Sequence, residues 1–171
     1  MTDAITFGRG YTPSLIGRIV TLHADYYAQL AGFGAAFEAK VAHELAAFAG
    51  QLDHPNNEIW WVSRDDEVIA SIAIDGQHSP QGPAVLHWFI VHPKHHGQGL
   101  GRDLMDRAMA FCDARDMPTV ELSTFAGLDA ARALYERAGF VLASEKDGRS
   151  WGRTVTEQTF VRRHPDSANA P

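Results

Sequence analysis

The sequence predicts a single α/β domain. Segments with apolar residues at helical spacing alternate along the chain with short apolar runs typical of strands. No repeat, linker or charge run divides them, and 171 residues suffice for one sizeable core. A content of 45% hydrophobic and 21% charged residues is ordinary for a folded protein. We therefore expect one domain over residues 1–164, followed by a disordered tail over residues 165–171.

The first half of the chain predicts a strand, two helices and a hairpin. A short strand over residues 5–8 comes first. Apolar residues then recur at helical spacing over residues 14–30, with Ser14 as the expected N-cap. After Gly32 and Gly34, a second helical pattern follows. The remaining elements of this half are a helix over residues 35–49 and strands over residues 59–63 and 68–74, which flank a short charged turn.

The second half predicts strands that alternate with two helices. Residues 84–91 are nearly all apolar, as expected of a central strand covered on both faces, and Pro93 ends that strand. Gly139 is the expected stop of the last helix. The other elements are a helix from about 99 to 115, a strand over 120–124, a helix over 129–138, and strands over 141–144 and 154–162.

Composition excludes several classes of protein. The net charge is −6 without any Lys/Arg-rich run, so the basic surface that nucleic acid or an anionic membrane needs is missing. The lone cysteine, Cys112, allows neither an internal disulfide nor a zinc site built on thiolates. Residues 1–8 lack the features of a secretory signal, and no run approaches the ~18 apolar residues of a membrane span. We expect a cytoplasmic protein with neither nucleic-acid nor membrane partners.

A glycine-rich turn follows the central strand and leads directly into the third helix. From Val91 to Arg102 the sequence is VHPKHHGQGLGR. Because glycine has no Cβ, the backbone can approach a bound group closely and adopt positive φ. Successive N–H groups then point outward at the positive end of the helix dipole, which suits an anion such as a pyrophosphate.

Three anion-binding patterns compete for this turn. A Walker A loop requires Lys followed by Ser or Thr after the last glycine, and neither pair occurs here. A dinucleotide fingerprint counted from Gly97 and Gly99 requires a third glycine where Arg102 stands, and it normally opens a first βαβ unit. The third pattern is H-x-x-G-x-G, from His96 to Gly101, and it fits.

This turn and a later segment together resemble the GNAT acyltransferase superfamily. A strand ending in V-x-P, followed by [QR]-x-x-G-x-[GA] and a helix, is similar to that family's acetyl-CoA signature, with His96 in place of Gln or Arg. The run A-x-x-L-Y-x-x-x-G-F, from Ala131 to Phe140, is similar to its late helix. The chain also resembles a stand-alone version of the GNAT domains fused to MarR-type regulators. The resemblance implies a mixed, twisted sheet of about six to seven strands with about four helices.

The resemblance implies that acetyl-CoA is the cosubstrate, and it implies which residues would contact it. Backbone groups of Phe89, Ile90 and Val91 would face the pantetheine arm and the thioester, where a GNAT sheet splays apart. Leu128 stands where the family often has Asn, so one side-chain contact to that arm is expected to be missing. The residues expected to hold the pyrophosphate are His96, Gly97, Gln98, Gly99, Leu100, Gly101 and Arg102.

Tyr135 is the candidate general acid. It lies on the apolar face of the late helix, so a core tyrosine is the plain alternative. In the family, the tyrosine at this position protonates the departing thiolate, and the resemblance implies the same role here.

His87 is the candidate general base for the acceptor amine. Two-residue alternation along the strand places it on the same face as Phe89 and Val91. A structural histidine is an equally good interpretation, and Glu121 or a water chain are the alternative bases. Ser123 stands where other members carry a catalytic Glu, and a serine cannot do that work unaided.

The remaining candidate residues are those for a metal site and for the pocket that would bind the acceptor. His92, His95 and His96 fit no standard zinc spacing, and the resemblance implies no metal. Four aromatic residues lie where the family builds its acceptor pocket, although each could equally belong to the core. They are Tyr26, Tyr27, Phe33 and Phe37.

The function implied is acetyl transfer from acetyl-CoA to a primary amine by direct attack in a ternary complex. A route through Cys112 is disfavoured, since this residue lies on the buried stripe of its helix. The main alternative is a non-catalytic acyl-CoA-binding or sensing domain, and a weaker one is another nucleotide-binding enzyme. A small-molecule or peptide amine is the expected partner. The identity of that amine and the oligomeric state stay open, with a homodimer among the options.

Overall fold

The computed structural model describes residues 4–169 and contains one mixed sheet of seven strands. The order across the sheet is β1-β2-β3-β4-β5-β7-β6, and all neighbours are antiparallel except β4 and β5. The strands are β1 (Ile5–Arg9), β2 (Asn57–Arg64), β3 (Glu67–Asp75), β4 (Ala84–Val91), β5 (Thr119–Phe125), β6 (Val141–Gly148) and β7 (Val155–Arg163). The predicted fold class is confirmed.

Within residues 4–169, four α-helices cover the two faces of the sheet. They are α1 (Leu15–Ala31), α2 (Ala35–Ala49), α3 (Leu100–Asp113) and α4 (Asp129–Arg137). One core cluster joins α1 and α2 to the sheet through residues such as Ile19 and Leu45. The other joins α3 and α4 to the opposite face through Leu104, Tyr135 and their neighbours. The apolar stripes predicted from helical spacing are therefore the faces that pack against the sheet.

Helix α1 begins and ends at residues with positive φ. Ser14 has a φ of 71° and makes no side-chain capping hydrogen bond, so its prediction as a side-chain N-cap is wrong. Only its carbonyl takes part, accepting from the Arg18 N–H at 3.1 Å. At the other end Gly32 has a φ of 66°, and its N–H donates to the Ala28 carbonyl.

Strand β4 contains a β-bulge in its centre. Ser71 of β3 pairs with Ile90 and Ala73 pairs with His87, so Ile72 lies opposite two residues of β4. Trp88, at the bulge, has a φ of 47°, and its carbonyl accepts a hydrogen bond of 2.7 Å from the Ser71 hydroxyl. The extra residue reverses the alternation of side chains along the rest of the strand.

This reversal corrects the predicted face of His87. Phe89 and Val91 pack into the core beneath α3 and α4. The His87 ring instead stacks on Trp88 at a centroid distance of 4.6 Å, and Trp88 packs into the core on the α1–α2 side. His87 therefore does not share a face with Phe89 and Val91, as strict alternation had predicted.

Strands β4 and β5 pair over only two positions. Ala84 lies beside Val120 and Val85 beside Glu121, and no further pair joins these strands within residues 4–169. Beyond that point β4 remains paired with β3, and β5 remains paired with β7 as far as Phe125. The sheet therefore splays open between β4 and β5.

Arg162 of β7 ties α3 and α4 to the sheet. Its guanidinium makes a bidentate pair with Asp113 at the end of α3, with N···O distances of 2.7 and 2.8 Å. Its Nε donates to the Ala138 carbonyl, just after α4, at 2.9 Å. This contact fixes the helix that carries Tyr135.

The C-terminal segment differs in part from the predicted tail. Residues Pro165–Asn169 form a short 3-10 helix, which His164 initiates by accepting N–H groups from Asp166 and Ser167. Residues 170–171, and residues 1–3 at the other end, lie outside the described part of the chain.

Candidate active site

The divergence of β4 from β5 opens a cavity of about 340 Å³, which we call the cleft. Its walls come from α1, α2, the two diverging strands, α4 and the β6–β7 hairpin. The predicted site residues His87, Phe89 and Tyr135 all line it. A cavity of this size lies within the usual range for small-molecule sites.

The glycine turn presents free backbone N–H groups beside the cleft. Gly97 and Gly99 have φ values of 77° and 82°, and a Cβ at either position would meet no atom within 4 Å. The first hydrogen bond of α3 runs from the Asp103 N–H to the Gly99 carbonyl, so the N–H groups of residues 100–102 have no acceptor within the helix. This open backbone, at the positive end of a helix dipole, can hold an anion.

Gly101 differs from the other two glycines of the turn. A Cβ there would lie 3.0 Å from Leu134 Cδ1, 3.4 Å from Phe89 Cζ and 3.5 Å from Val91 Cγ2. The glycine at this position therefore allows α3 to approach β4 and α4 closely. Leu100 is also buried in the core, so its side chain does not face the turn's open side.

Hydrogen bonds from the turn's own side chains hold its shape. The His96 Nε2 lies 2.7 Å from the Val91 carbonyl oxygen, which requires the tautomer that donates from Nε2. The His95 Nδ1 is 3.4 Å from the Gln98 Oε1. The resemblance placed His96 at the pyrophosphate, but its ring nitrogen is engaged with the end of β4.

Tyr135 reaches the cleft from α4. Its ring lies 6.1 Å from that of Phe89 and 5.7 Å from that of Phe160, and its hydroxyl is hydrogen-bonded with Thr124 of β5. Burial raises the pKa of this phenol to about 12, an effect that the hydrogen bond with Thr124 partly offsets. Tyr135 is therefore a neutral hydrogen-bond donor at physiological pH.

His87 enters the cleft from the other face of β4. Burial lowers its pKa below the usual value, against the opposing pull of the Asp75 and Glu44 carboxylates. The ring is therefore mostly neutral near pH 7 and able to accept a proton. The bulge places this histidine on the side of α1 and α2, away from the turn that starts α3.

The alternative bases take different positions on β5. Ser123 and Phe125 line the cleft, whereas Glu121 is absent from its lining and sits where β5 still pairs with β4. Glu121, the predicted alternative base, therefore lies outside the cleft, and the residue that lines it, Ser123, cannot act as a base unaided.

Aromatic side chains form one wall of the cleft. Tyr27, Phe33 and Phe37 converge there as predicted, with centroid distances of 5.1 to 6.1 Å between their rings. Tyr26 instead lies against His96, outside the cleft, at a centroid distance of 6.2 Å. Sequence reasoning missed Trp88, Phe125 and Trp151.

His23 of α1 is a further lining residue that sequence reasoning missed. Its Nδ1–H donates to the Ile19 carbonyl at 2.8 Å, and the side chain is buried. Burial lowers its pKa to about 4, an effect that this hydrogen bond partly offsets. His23 is thus a neutral, structural histidine whose helical spacing from Ile19 and Tyr27 was the only available signal.

Other predicted features lie outside the cleft. Cys112 is buried in the core, and burial raises the pKa of its thiol to about 12, which keeps it protonated. His92 and His95 sit 5.9 Å apart between ring centroids, and within residues 4–169 no three His, Cys, Asp or Glu side chains group as metal ligands. Among the same residues no helix combines the length and the apolar character needed to cross a membrane.

Comparison with known proteins agrees with this geometry. A family model described as the acetyltransferase (GNAT) family matches residues 19–140. The fold is similar to that of yncA from Salmonella typhimurium, a structure containing its cofactor acetyl-CoA, with a TM-score of 0.70, 16% identity and coverage of 94% of each chain.

Two further solved structures share the fold. An acetyltransferase from Streptococcus agalactiae has a TM-score of 0.72 and 20% identity, over 95% of this chain and 99% of that one. The ribosomal-protein-S18-alanine N-acetyltransferase from Escherichia coli has a TM-score of 0.66 and 18% identity, over 94% of each chain.

The burial of His23 predicts a loss of stability in acid. The unfolded chain protonates this histidine near pH 6.5, whereas the folded chain does so only near pH 4. Between these values the unfolded state binds more protons, so the free energy of unfolding falls as the pH falls. The full effect is about 3 kcal/mol, at 1.36 kcal/mol per pKa unit.

Denaturant titrations at pH 7 and pH 4.5 measure this loss. His23→Gln is expected to remove most of it, while the matched change His43→Gln, at an exposed position of α2, is expected to leave it unchanged. An equal acid loss in parent and His23→Gln would contradict the assignment. The lowered pKa of His87 contributes a similar trend in all three proteins.

Proposed function

Since the chain belongs to the acetyltransferase (GNAT) family, we propose that it transfers an acetyl group from acetyl-CoA to a primary amine, by direct attack within a ternary complex. One observation carries the proposal. The splay between β4 and β5 forms a cleft that has the glycine turn beside it, an aromatic wall inside it, and Tyr135 and His87 in its lining.

The glycine turn fits the phosphates of the acyl donor. Its open positions at Gly97 and Gly99 leave room for a bound group, and the N–H groups at the start of α3 supply the donors. Acetyl-CoA supplies an acyl group that is activated as a thioester. The unpaired stretch of β4 beyond Val85 gives its arm a backbone edge to lie along.

Tyr135 would act at the sulfur. Proton transfer from a phenol of pKa about 12 to an ordinary thiolate, near 8.5, is uphill by roughly 5 kcal/mol. We therefore assign Tyr135 mainly the donation of a hydrogen bond as negative charge develops on the sulfur. In the balanced reaction the C–N bond forms, the C–S bond breaks, and the proton lost by nitrogen ends on the sulfur.

His87 would act at the amine. Its lowered pKa keeps the ring neutral near pH 7, which a base requires, and its place on the α1–α2 side sets it apart from the Phe89 face of the same strand. The acceptor and the acyl donor can therefore approach the gap between β4 and β5 from opposite faces of the sheet. A direct attack needs no covalent enzyme intermediate, in agreement with the buried, protonated Cys112.

A thiol-release assay tests the proposal. The protein is incubated with acetyl-CoA and a panel of primary amines, and free CoA and the acetylated amine are both quantified. Equal amounts of the two products are expected. Tight acetyl-CoA binding without turnover of any amine would instead favour the non-catalytic acyl-CoA-binding alternative. The resemblance to MarR-fused domains and the cytoplasmic location stay predictions.

The turn is expected to lose affinity for CoA when it carries a carboxylate. Gln98→Glu places a negative charge between the two open glycines without a change of backbone conformation, because residue 98 has no positive φ. Binding of CoA should weaken about tenfold, or 1.4 kcal/mol, through repulsion of the phosphates. Calorimetry measures the change, with Gln51→Glu in the α2–β2 loop as the matched control. Parent-like affinity of Gln98→Glu would contradict the assignment.

Removal of the Tyr135 hydroxyl is expected to slow catalysis without loss of CoA binding. Tyr135→Phe keeps the ring contacts with Phe89 and Phe160 but removes the donor. We expect kcat to fall about 100-fold, as for the loss of one preorganised donor. Steady-state kinetics and CoA calorimetry measure the two effects, and Tyr11→Phe, at an exposed tyrosine, is the control. If kcat is unchanged while chemistry limits the rate, the role is wrong.

Replacement of His87 is expected to change the pH profile. Because the pKa of His87 is lowered, the enzyme's own acidic limb in kcat/KM should lie below pH 6.5. His87→Gln should lose that limb and about 100-fold in rate at pH 7, with CoA binding retained. The exposed His43→Gln serves as control. A variant that keeps both the rate and the limb would move deprotonation to water or to another group.

A further inference from the structure

The aromatic wall of the cleft is built from four separate parts of the chain. One ring comes from α1, two come from the α1–α2 turn and the α2 helix that follows it, one comes from β5, and one comes from the β6–β7 hairpin. Neighbouring centroids lie 5.1 to 6.4 Å apart, within the range of aromatic contacts. Its members are Tyr27, Phe33, Phe37, Phe125 and Trp151.

Two of these rings are buried and three present surface to the cleft. Phe33 and Phe37 are only 4% and 5% exposed, so they form the backing. Tyr27, Phe125 and Trp151 are half-buried and line the cavity. The wall is therefore more than a core cluster, because it leaves aromatic faces uncovered beside the proposed reaction site.

The hairpin that carries Trp151 is held against the α1–α2 turn. The Arg153 Nη1 donates to the Gly32 carbonyl at 3.2 Å, and the Trp151 ring stacks near Phe33 with an interplanar angle of 20°. Gly152, with a φ of 88°, makes the reversal between these two contacts. Trp151 is thus preorganised beside Phe125, whose ring centroid lies 5.8 Å from its own, so the two rings are in contact and form one continuous aromatic surface.

The charged groups of the cleft lining balance. Two cations, Lys40 and Lys146, face two anions, Glu44 and Glu157. Lys40 forms an ion pair with Glu44, and Lys146 lies opposite Glu157 in the β6–β7 register. Glu157 also accepts the Ser150 N–H at 2.7 Å. A polycationic acceptor would therefore find no surplus of negative charge.

The volume of the cleft is large enough for an acceptor with one aromatic ring. A dry cavity of roughly 150 Å³ accepts a benzene molecule. The cleft, at about 340 Å³, has space for one such ring together with a short chain and the reacting acyl end.

We propose that the acceptor is a primary amine carrying a single aromatic ring on a short alkyl chain, with the ring seated against Phe125 and Trp151 and the amine directed toward His87. The proposal rests on the proposed acetyl transfer. It narrows the acceptor from amines in general to those with one flat apolar group and one positive charge.

A matched panel of amines tests the proposal on the parent enzyme. We expect kcat/KM for 2-phenylethylamine to exceed that for 2-cyclohexylethylamine about tenfold, since stacking is lost with the flat ring. It should exceed the values for n-propylamine, which lacks a ring, and for putrescine, which is dicationic, by still more. Equal or better use of any of these three amines would overturn the proposal.

Two variants of the aromatic wall localise the effect. Phe125→Leu and Trp151→Leu should each raise KM for 2-phenylethylamine about tenfold and reduce the preference over n-propylamine, with KM for acetyl-CoA unchanged. Tyr11→Leu, at an exposed position outside the cleft, should change neither value. Because Trp151→Leu could loosen the hairpin, Phe125→Leu provides the independent measurement. An unchanged preference in both variants would overturn the assignment.

Calorimetry separates this proposal from the proposed activity. If no amine is acetylated, acetyl transfer to amines has failed, and 2-phenylethylamine is then titrated into the CoA-loaded protein. Binding that is lost in Phe125→Leu and kept in Tyr11→Leu supports the ring site. Absence of binding to the parent overturns it.

Discussion

The separation of β4 from β5 is the constraint on which the rest of the site depends. These strands are the only parallel pair of the sheet, and they pair at just two positions within the described residues. The gap persists because each strand is held from its outer side, β4 by β3 on both sides of the bulge and β5 by β7 as far as Phe125. Backbone groups that would be costly to bury unpaired are thereby left facing a cavity, where a ligand or water can satisfy them.

The bulge at Trp88 decides which side chains face each half of the gap. Without it, His87 and Phe89 would share a face, and one of them would be withdrawn from its present neighbours. With it, His87 and Trp88 face α1 and α2, while Phe89 packs against the start of α3 and the ring of Tyr135. A single extra residue, held by the Ser71 hydroxyl, thus gives one strand two functional faces.

The features that could be predicted from the sequence are those that depend on interactions between residues close together in the chain. The order of the strands and helices could be predicted because each element has its own spacing of apolar residues. The turn at residues 97–102 could be predicted because its glycines lie close together in the sequence. The bulge could not be predicted from the sequence. An extra residue in the nearly continuous apolar run AVLHWFIV looks like one more residue of a regular strand. Trp151 also could not be placed, because it lies in a polar turn and reaches Phe33 only through the contact of a distant hairpin. Strand β6 runs to Gly148, past its predicted end at 144, because its charged residues sit at an exposed sheet edge.

Burial also sets the protonation states of the groups in the proposed site. Around the cleft Tyr135 is kept protonated, and His23 and His87 are kept neutral, by the same loss of hydration. An ammonium entering the cleft would meet this environment as well, and desolvation lowers the pKa of a cation. A free alkylamine has a pKa near that of lysine, about 10.4, so the neutral amine is scarce in water at pH 7. The apolar wall would favour the neutral form of the amine on binding, which leaves less of the deprotonation to His87, whose own pKa is lowered by the same burial.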